Sequence, residues 1–190
     1  MRTAWKAEVS GKLEASRFVF VDEMGSNTSL SPLYGWSMVG ERLRAQAPRN
    51  WGKNVTLISS MSLAGMGPSV AVDGATTRAV FEAYVEQALV PSLRPGQVVV
   101  MDNLSAHKGE RTRLLIEERG CELIYLPPYS PDMNPIEEAF SKVKGLMRRA
   151  EARTREGLVE AMGKALDAVS VRDARGFFEH SGYRVIGQPF

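Results

Sequence analysis

Two unbroken apolar runs, Phe18-Val19-Phe20-Val21 and Val98-Val99-Val100-Met101, are the strongest features of the hydrophobic pattern. Four consecutive apolar residues predict a strand covered on both faces, hence one in the middle of a sheet. Val55–Leu63 and Ser69–Val72 predict further strands, with turn chemistry at Asp73-Gly74. Beyond them the spacing becomes helical: Phe81, Tyr84, Val85 and Ala88 fall on one stripe, and Pro91 with Pro95-Gly96 is expected to stop that segment. A helix through Leu114, Leu115 and Ile116 is expected to end at Gly120, with Glu122–Leu126 as the next strand. Ile136, Ala139, Phe140, Val143 and Met147 define an amphipathic helix, and Leu158, Met162, Ala165, Leu166 and Val169 define another. Strands first and β-α-β-α afterwards predict an α/β (mixed α+β) fold, with a central mixed five-stranded sheet flanked by helices.

Composition narrows the class. The 190 residues fit one domain with a core of its own, and 44% hydrophobic with 24% charged residues argue against a disordered, collagenous or membrane protein. No repeat or low-complexity tract interrupts the chain. No stretch reaches the eighteen or so apolar residues of a membrane span, and the N-terminus lacks the apolar centre of a signal peptide, so a cytoplasmic location is expected. The single Cys121 excludes an internal disulfide, and its strand-like neighbours predict an inert, half-buried thiol. Lys plus Arg exceed Asp plus Glu by 24 − 22 = 2, too little to point to a nucleic-acid partner by itself. The expected organisation is a lead-in over 1–16 and a single domain over 17–190, with a C-terminal helical extension from about 151.

The chemistry begins where the two apolar runs end, in Asp22 and Asp102. The carboxyl edge of an open sheet is where such folds place ligands. If the two strands are parallel neighbours the carboxylates sit side by side, repelling unless a hard cation such as Mg2+ or Mn2+ lies between them. Each Asp alone reads first as a turn residue; the matched pair is what raises the case for a site. A third carboxylate is available in the stiff, proline-rich segment Pro127–Glu138. There Asn134 reads as a helix N-cap, Pro135 as the first helical residue, and Glu137 as the third, where a capping box is an alternative role. Glu138 stands four residues before Lys142, the orientation of an exposed ion pair, whereas Glu137 shares a face with Lys144 and Arg148. Asp132 is assigned to the turn, Trp36 to packing and His180 to a structural role. Glu23, next to Asp22, is expected to point to the other sheet face.

The segments FVFVDEMGSNT, VVVMDNLSAHKG and LPPYSPDMNPIEEAFSKVK resemble the catalytic blocks of DDE transposases of the Tc/mariner superfamily, especially the bacterial insertion-sequence branch. The 34 residues between Asp102 and Glu137 match that family's spacing, and GFFEHSGY resembles its C-terminal end, so the likeness runs from about Arg17 to Tyr183. The resemblance implies an RNase H-like fold with the first and fourth strands parallel and adjacent. It implies that Asp22, Asp102 and Glu137 hold two Mg2+ ions, for which Mn2+ can substitute, in cleavage and strand transfer of DNA. Asn103, His107 and Asn134 are then candidates for orienting the acids or touching phosphate. Two basic runs flank these blocks: Arg42, Arg44, Arg49 and Lys53 with no acid, and Lys142, Lys144, Arg148, Arg149, Arg153 and Arg155 against Glu151. They predict a salt-sensitive DNA-backbone surface. The implied partners are transposon-end and target DNA and a second copy of the chain, in the nucleoid. About sixteen residues before the first strand leave no room for the family's helix-turn-helix modules, so a separate helix-turn-helix polypeptide or upstream frame product is expected. Another RNase H-like nuclease, either a ribonuclease or a junction resolvase, and an inactive DNA-binding remnant are the alternatives.

Overall fold

A computed structural model of the chain describes Trp5, Val9 and residues 13–44 and 52–185. Its sheet is built from β1 (Phe18–Ser26), β2 (Val55–Ser62), β3 (Gly65–Asp73), β4 (Val98–Met101) and β5 (Glu122–Tyr125), in the order β3-β2-β1-β4-β5. β1 pairs in parallel with β4, and β4 in parallel with β5, while β2 is antiparallel to both β1 and β3. The two apolar runs are therefore both interior strands, as their unbroken apolar pattern required, and the pairing makes them neighbours. β1 does not stop at Asp22; it continues to Ser26 because β2 is long enough to pair with it throughout, Ser26 facing Val55.

Strand alternation sorts the core into two layers. Phe18, Phe20, Val98 and Val100 face one layer, and Val19, Val21, Val99 and Met101 face the other. The first layer is covered by α3 (Pro135–Ala150), α4 (Arg155–Asp167) and α5 (Val171–His180), through Phe140, Val143, Met147, Leu158, Met162 and Phe178. The second is covered by α1, which runs from Arg78 to Ser92, and by α2 (Glu110–Glu118), through Phe81, Tyr84, Leu89 and Ile116. The helices after residue 150 thus pack into the same core as the sheet.

Local chemistry sets the element ends. Thr77 and Thr154 cap α1 and α4 through Val80 N–H and Gly157 N–H, and Ser170 with Asp173 closes a reciprocal capping box on α5. Gly120, at φ 74°, takes the left-handed position after α2. α1 begins as Arg78–Tyr84, passes through a π turn at Val85–Leu89 and closes with Val90–Ser92, so the helix runs through Pro91 instead of stopping there. A π turn re-spaces the backbone ahead of a proline, whose ring and missing N–H conflict with regular i−4 bonding.

Other expectations change. Trp36 does not pack: it is 99% exposed in the irregular segment between β1 and β2, because the helices already fill both sheet faces. The expected Glu138–Lys142 pair does not form. α5 lies against α3 and offers better-placed partners, so Lys142 Nζ meets Asp173 Oδ2 at 2.6 Å and Glu138 Oε1 meets His180 Nδ1 at 2.7 Å. Cys121 is buried rather than half-buried, its Sγ 3.2 Å from the Arg94 carbonyl, and burial pushes its thiol pKa up. Among the described residues no helix is long and apolar enough to cross a membrane.

The first layer has a measurable keystone in Phe20, fully buried, with its ring centroid 5.3 Å from that of Phe178 and 5.1 Å from that of Tyr183. Phe20→Ala is expected to lower stability by about 3–5 kcal/mol in urea unfolding, with an unchanged denaturant slope. A loss under about 1 kcal/mol would show that the layer is not packed this way.

Candidate active site

The last parallel pair in the centre of the sheet is Val21 with Met101, so the next residues along β1 and β4 are Asp22 and Asp102. Alternation carries Asp22 to the face covered by α3. The Pro127–Asn134 loop leads directly into α3 and delivers Glu137 in its first turn. Asp22, Asp102 and Glu137 line one cleft of about 400 Å3, together with Asn103, Asn134 and the proline-rich loop. A groove of similar volume, about 430 Å3, lies between α3 and α4, but its charged residues Glu160 and Lys164 pair with each other. Of these two, the acid cleft is the one whose charged residues are not paired with each other.

The two aspartates are held differently. Asp22 is 6% exposed. Its Oδ1 accepts from the Glu23 N–H at 2.7 Å, and its Oδ2 accepts from Asn134 Nδ2 at 2.7 Å. Burial, and then the charges of Glu137 and Asp102, push its pKa up to about 7 against the lowering effect of the Glu23 N–H. Asp102 is also desolvated. There the His107 hydrogen bond, the Leu104 N–H and the charges of His107 and Lys108 outweigh burial and hold its carboxyl below the ordinary value. Asp102 Oδ1 receives both His107 Nδ1 at 2.6 Å and Leu104 N–H at 3.0 Å. Burial alone would lower the His107 pKa, but its two carboxylate partners, Asp102 and Glu23, raise it to about 9.

Asn134 supplies a finding that the sequence pattern concealed. It stands at the N-cap of α3, but its side chain makes no capping bond; the amide is turned back to Asp22. Its Oδ1 is buried and has no hydrogen-bond partner. Glu137, at the third helical position, forms no capping box with it, so its carboxylate is left at the cleft. Glu23 was the residue set aside: its side chain does point to the opposite face, and there it meets His107 Nε2 at 3.2 Å. His107 is fully buried and its pKa is raised to about 9, so both ring nitrogens carry protons near neutral pH and each needs an acceptor. Tyr129 adds a cleft-lining residue at φ 55°, an uncommon backbone state for a non-glycine residue.

The donor set fits a hard divalent cation, since three carboxylates and an orphaned amide oxygen surround one cleft. Among the described residues, no three acid, cysteine or histidine side chains are already gathered into a cation cage. The two aspartates are occupied with protein hydrogen bonds, and Asp102 Oδ2 is the aspartate oxygen without one among the described residues.

The basic candidates divide. Lys142 is engaged with Asp173, Arg153 with Glu151 and the Thr28 and Leu30 carbonyls, and Arg155 with Asp73. Lys144, Arg148 and Arg149 make no ion pair among the described residues and continue along α3 from the cleft. Arg42, Arg44 and Lys53 are exposed beside β1 and β2, and Arg49 lies outside the described residues.

Fold and site together define an RNase H-like domain with a three-acid cleft at the carboxyl edge of its central parallel strands. A family model described as DDE superfamily endonuclease matches residues 17–159, and the chain belongs to that family. It is 27% identical over 180 residues to the Tc1 transposase of Caenorhabditis elegans, covering 87% of this chain and 66% of that protein. It is 28% identical over 163 residues to the Tcb2 transposase of Caenorhabditis briggsae, covering 80% and 60%. The chain thus spans less than two thirds of the length of these curated relatives. Among solved structures, the Mos1 transposase paired-end complex with left transposon end superposes with a TM-score of 0.72 at 17% identity, over 94% of this chain and 55% of that one. The catalytic domain of Mos1 mariner transposase superposes at 0.61 and 17%, over 94% and 82%. These structures share the fold.

The raised pKa of Asp22 makes stability depend on pH. With a folded value near 7 and an ordinary value of 3.8, the native state keeps the proton in a window where the unfolded chain has lost it. Stability contributed by this group therefore falls as pH rises from about 4 to 7 and is flat above. In metal-free buffer, Asp22→Asn should gain on wild type by up to about 4 kcal/mol across that window. Urea unfolding at several pH values checks this, and a pH-independent difference contradicts it.

Proposed function

We propose that this chain is the catalytic domain of a DNA transposase, one that cleaves phosphodiester bonds at transposon ends and joins the freed 3′-hydroxyl to target DNA. The observation that carries the reading is the Val21–Met101 pairing, which brings Asp22 and Asp102 together opposite Glu137. Family membership and similarity to the Tc1 and Tcb2 transposases support it. Asp22, Asp102 and Glu137 are the residues that would hold divalent cations, Mg2+ or Mn2+, two ions being expected. Solved Mos1 complexes with Mg and with Mn support that preference. Bound there, the cations supply activation of a water or 3′-hydroxyl and stabilisation of the leaving oxygen.

The chain's own residues do the rest. Asn134 holds the Asp22 carboxyl in place, and His107 fixes the Asp102 carboxyl and helps hold its pKa below the ordinary value. The proline-rich loop fixes where α3 begins, and with it Glu137. Lys144, Arg148 and Arg149 extend from the cleft as a phosphate track, with Arg42, Arg44 and Lys53 as a second one. Such sites work on paired DNA ends, so the functional unit is proposed to be a homodimer on DNA in the nucleoid. A helix-turn-helix polypeptide or upstream segment is proposed to supply end recognition.

With Mg2+ or Mn2+, the purified chain should nick DNA carrying the element's ends, and Asp102→Asn should lower the rate at least about a thousandfold at a temperature where the variant is still folded. Equal nicking by the variant would overturn the reading; preferential cleavage of RNA–DNA hybrids would favour a ribonuclease. Binding to nonspecific DNA should weaken linearly in log salt. Replacing Lys144, Arg148 and Arg149 by Ala should flatten that slope by about one per residue. An unchanged slope would remove α3 from the DNA surface.

A further inference from the structure

Beneath the acid cleft, on the opposite face of the sheet, lies a polar chain with no place in metal binding itself. His107 is fully buried, with its ring centroid 4.2 Å from that of Phe81 in the apolar layer under α1. Each ring nitrogen meets a carboxylate oxygen: Nδ1 lies 2.6 Å from Asp102 Oδ1, and Nε2 lies 3.2 Å from Glu23 Oε1. Glu23 belongs to β1 and Asp102 follows β4, so the imidazole bridges the two strands whose adjacency makes the site. The backbone of His107 is pinned as well, its carbonyl accepting from the Tyr125 hydroxyl at 3.0 Å.

We propose that Glu23, acting through His107, is a positioning residue for Asp102. The pair forms a bracket that fixes Asp102 Oδ1 and leaves Oδ2 as the available donor atom. Three observations carry this. Asp102 Oδ1 takes both protein hydrogen bonds, and Oδ2 takes none among the described residues. A ring tethered at one nitrogen can swing about its side-chain bond; tethered at both, and stacked on Phe81, it cannot. A fully buried imidazole held by two partly buried carboxylates is also seldom the most stable filling for an apolar layer. An apolar residue at position 107 would satisfy the layer formed by Val21, Phe81 and Met101 at lower desolvation cost. The bracket is explained by what it does to Asp102.

The inference rests on the reading of Asp22, Asp102 and Glu137 as a cation site, and its test separates the two. Mn2+ binding to the whole chain is measured by electron paramagnetic resonance, with thermal melting as the control for folding. Glu23→Leu matches the apolar layer and removes the acceptor; Glu23→Gln keeps an acceptor oxygen. His107→Asn keeps a donor near the ring Nδ1 position but cannot reach Glu23. The expected result is about a tenfold loss of Mn2+ affinity in Glu23→Leu and His107→Asn, and a change within about twofold in Glu23→Gln. Wild-type affinity in a folded Glu23→Leu or His107→Asn chain overturns the bracket, while loss of binding in Asp102→Asn still upholds the cation site. A wild-type chain that binds no Mn2+ overturns both.

Discussion

Everything at this site follows from the parallel pairing of β1 with β4, which forces two carboxyl groups to the same end of adjacent strands. At a strand spacing of about 4.8 Å and an effective dielectric near 20, two ionised carboxylates repel by roughly 3 kcal/mol. One hydrogen bond to a charged group returns about 1.5–3 kcal/mol. The repulsion is therefore as large as the strongest single hydrogen bond to a charged group and twice a weak one. The molecule meets it from both sides of the sheet. Asn134 comes from the α3 face to Asp22, and His107 comes from the α1 face to Asp102. Asp22 is left near neutrality while Asp102 stays ionised.

The support on the α3 face reaches further along the chain than the site does. Asn134 and Glu137 stand on the loop and first turn before α3, and that segment is tied down by the C-terminal helices. The Tyr183 hydroxyl donates to the Met133 carbonyl at 2.8 Å, one residue before Asn134. The same ring lies edge-on to Phe18 and Phe20. Lys142 with Asp173 and Glu138 with His180 fasten α3 to α5 along its length. The segment GFFEHSGY is thus a foundation for the acid loop, reaching it through packing and one hydrogen bond.

The central strands were legible because residues covered on both faces leave an unbroken apolar run, and Asp22 and Asp102 were legible because each follows such a run. Their adjacency was not, since nothing in either run says which strand lies next to it; that expectation came from the family resemblance, which also singled out Glu137. Asn134 had the right position for a helix cap and a different use for its side chain, because the partner is 112 residues away in sequence. The Glu138–Lys142 pair failed for a related reason. Local spacing weighs only neighbours on one helix, and α5 brings Asp173 and His180 to the same surface. Trp36 shows the converse, since a large aromatic predicts burial only where a face remains to be filled.

The opposite displacements of the two aspartate pKa values matter for how the cleft would take up a cation. With one carboxyl protonated near neutral pH and the other ionised, the cluster avoids most of its own repulsion while it is empty. On the proposed reading a divalent cation would displace the proton on Asp22, which would link binding to pH through the acid with the least access to water. Asp102, already ionised and fixed by His107, is the natural first point of attachment. On that reading Asp22 would take on its full charge below pH 7 only with a cation to share it. The net charge of +2 conceals this arrangement, because basic residues along α3 and beyond β1 offset acids that are useful only while they are crowded together.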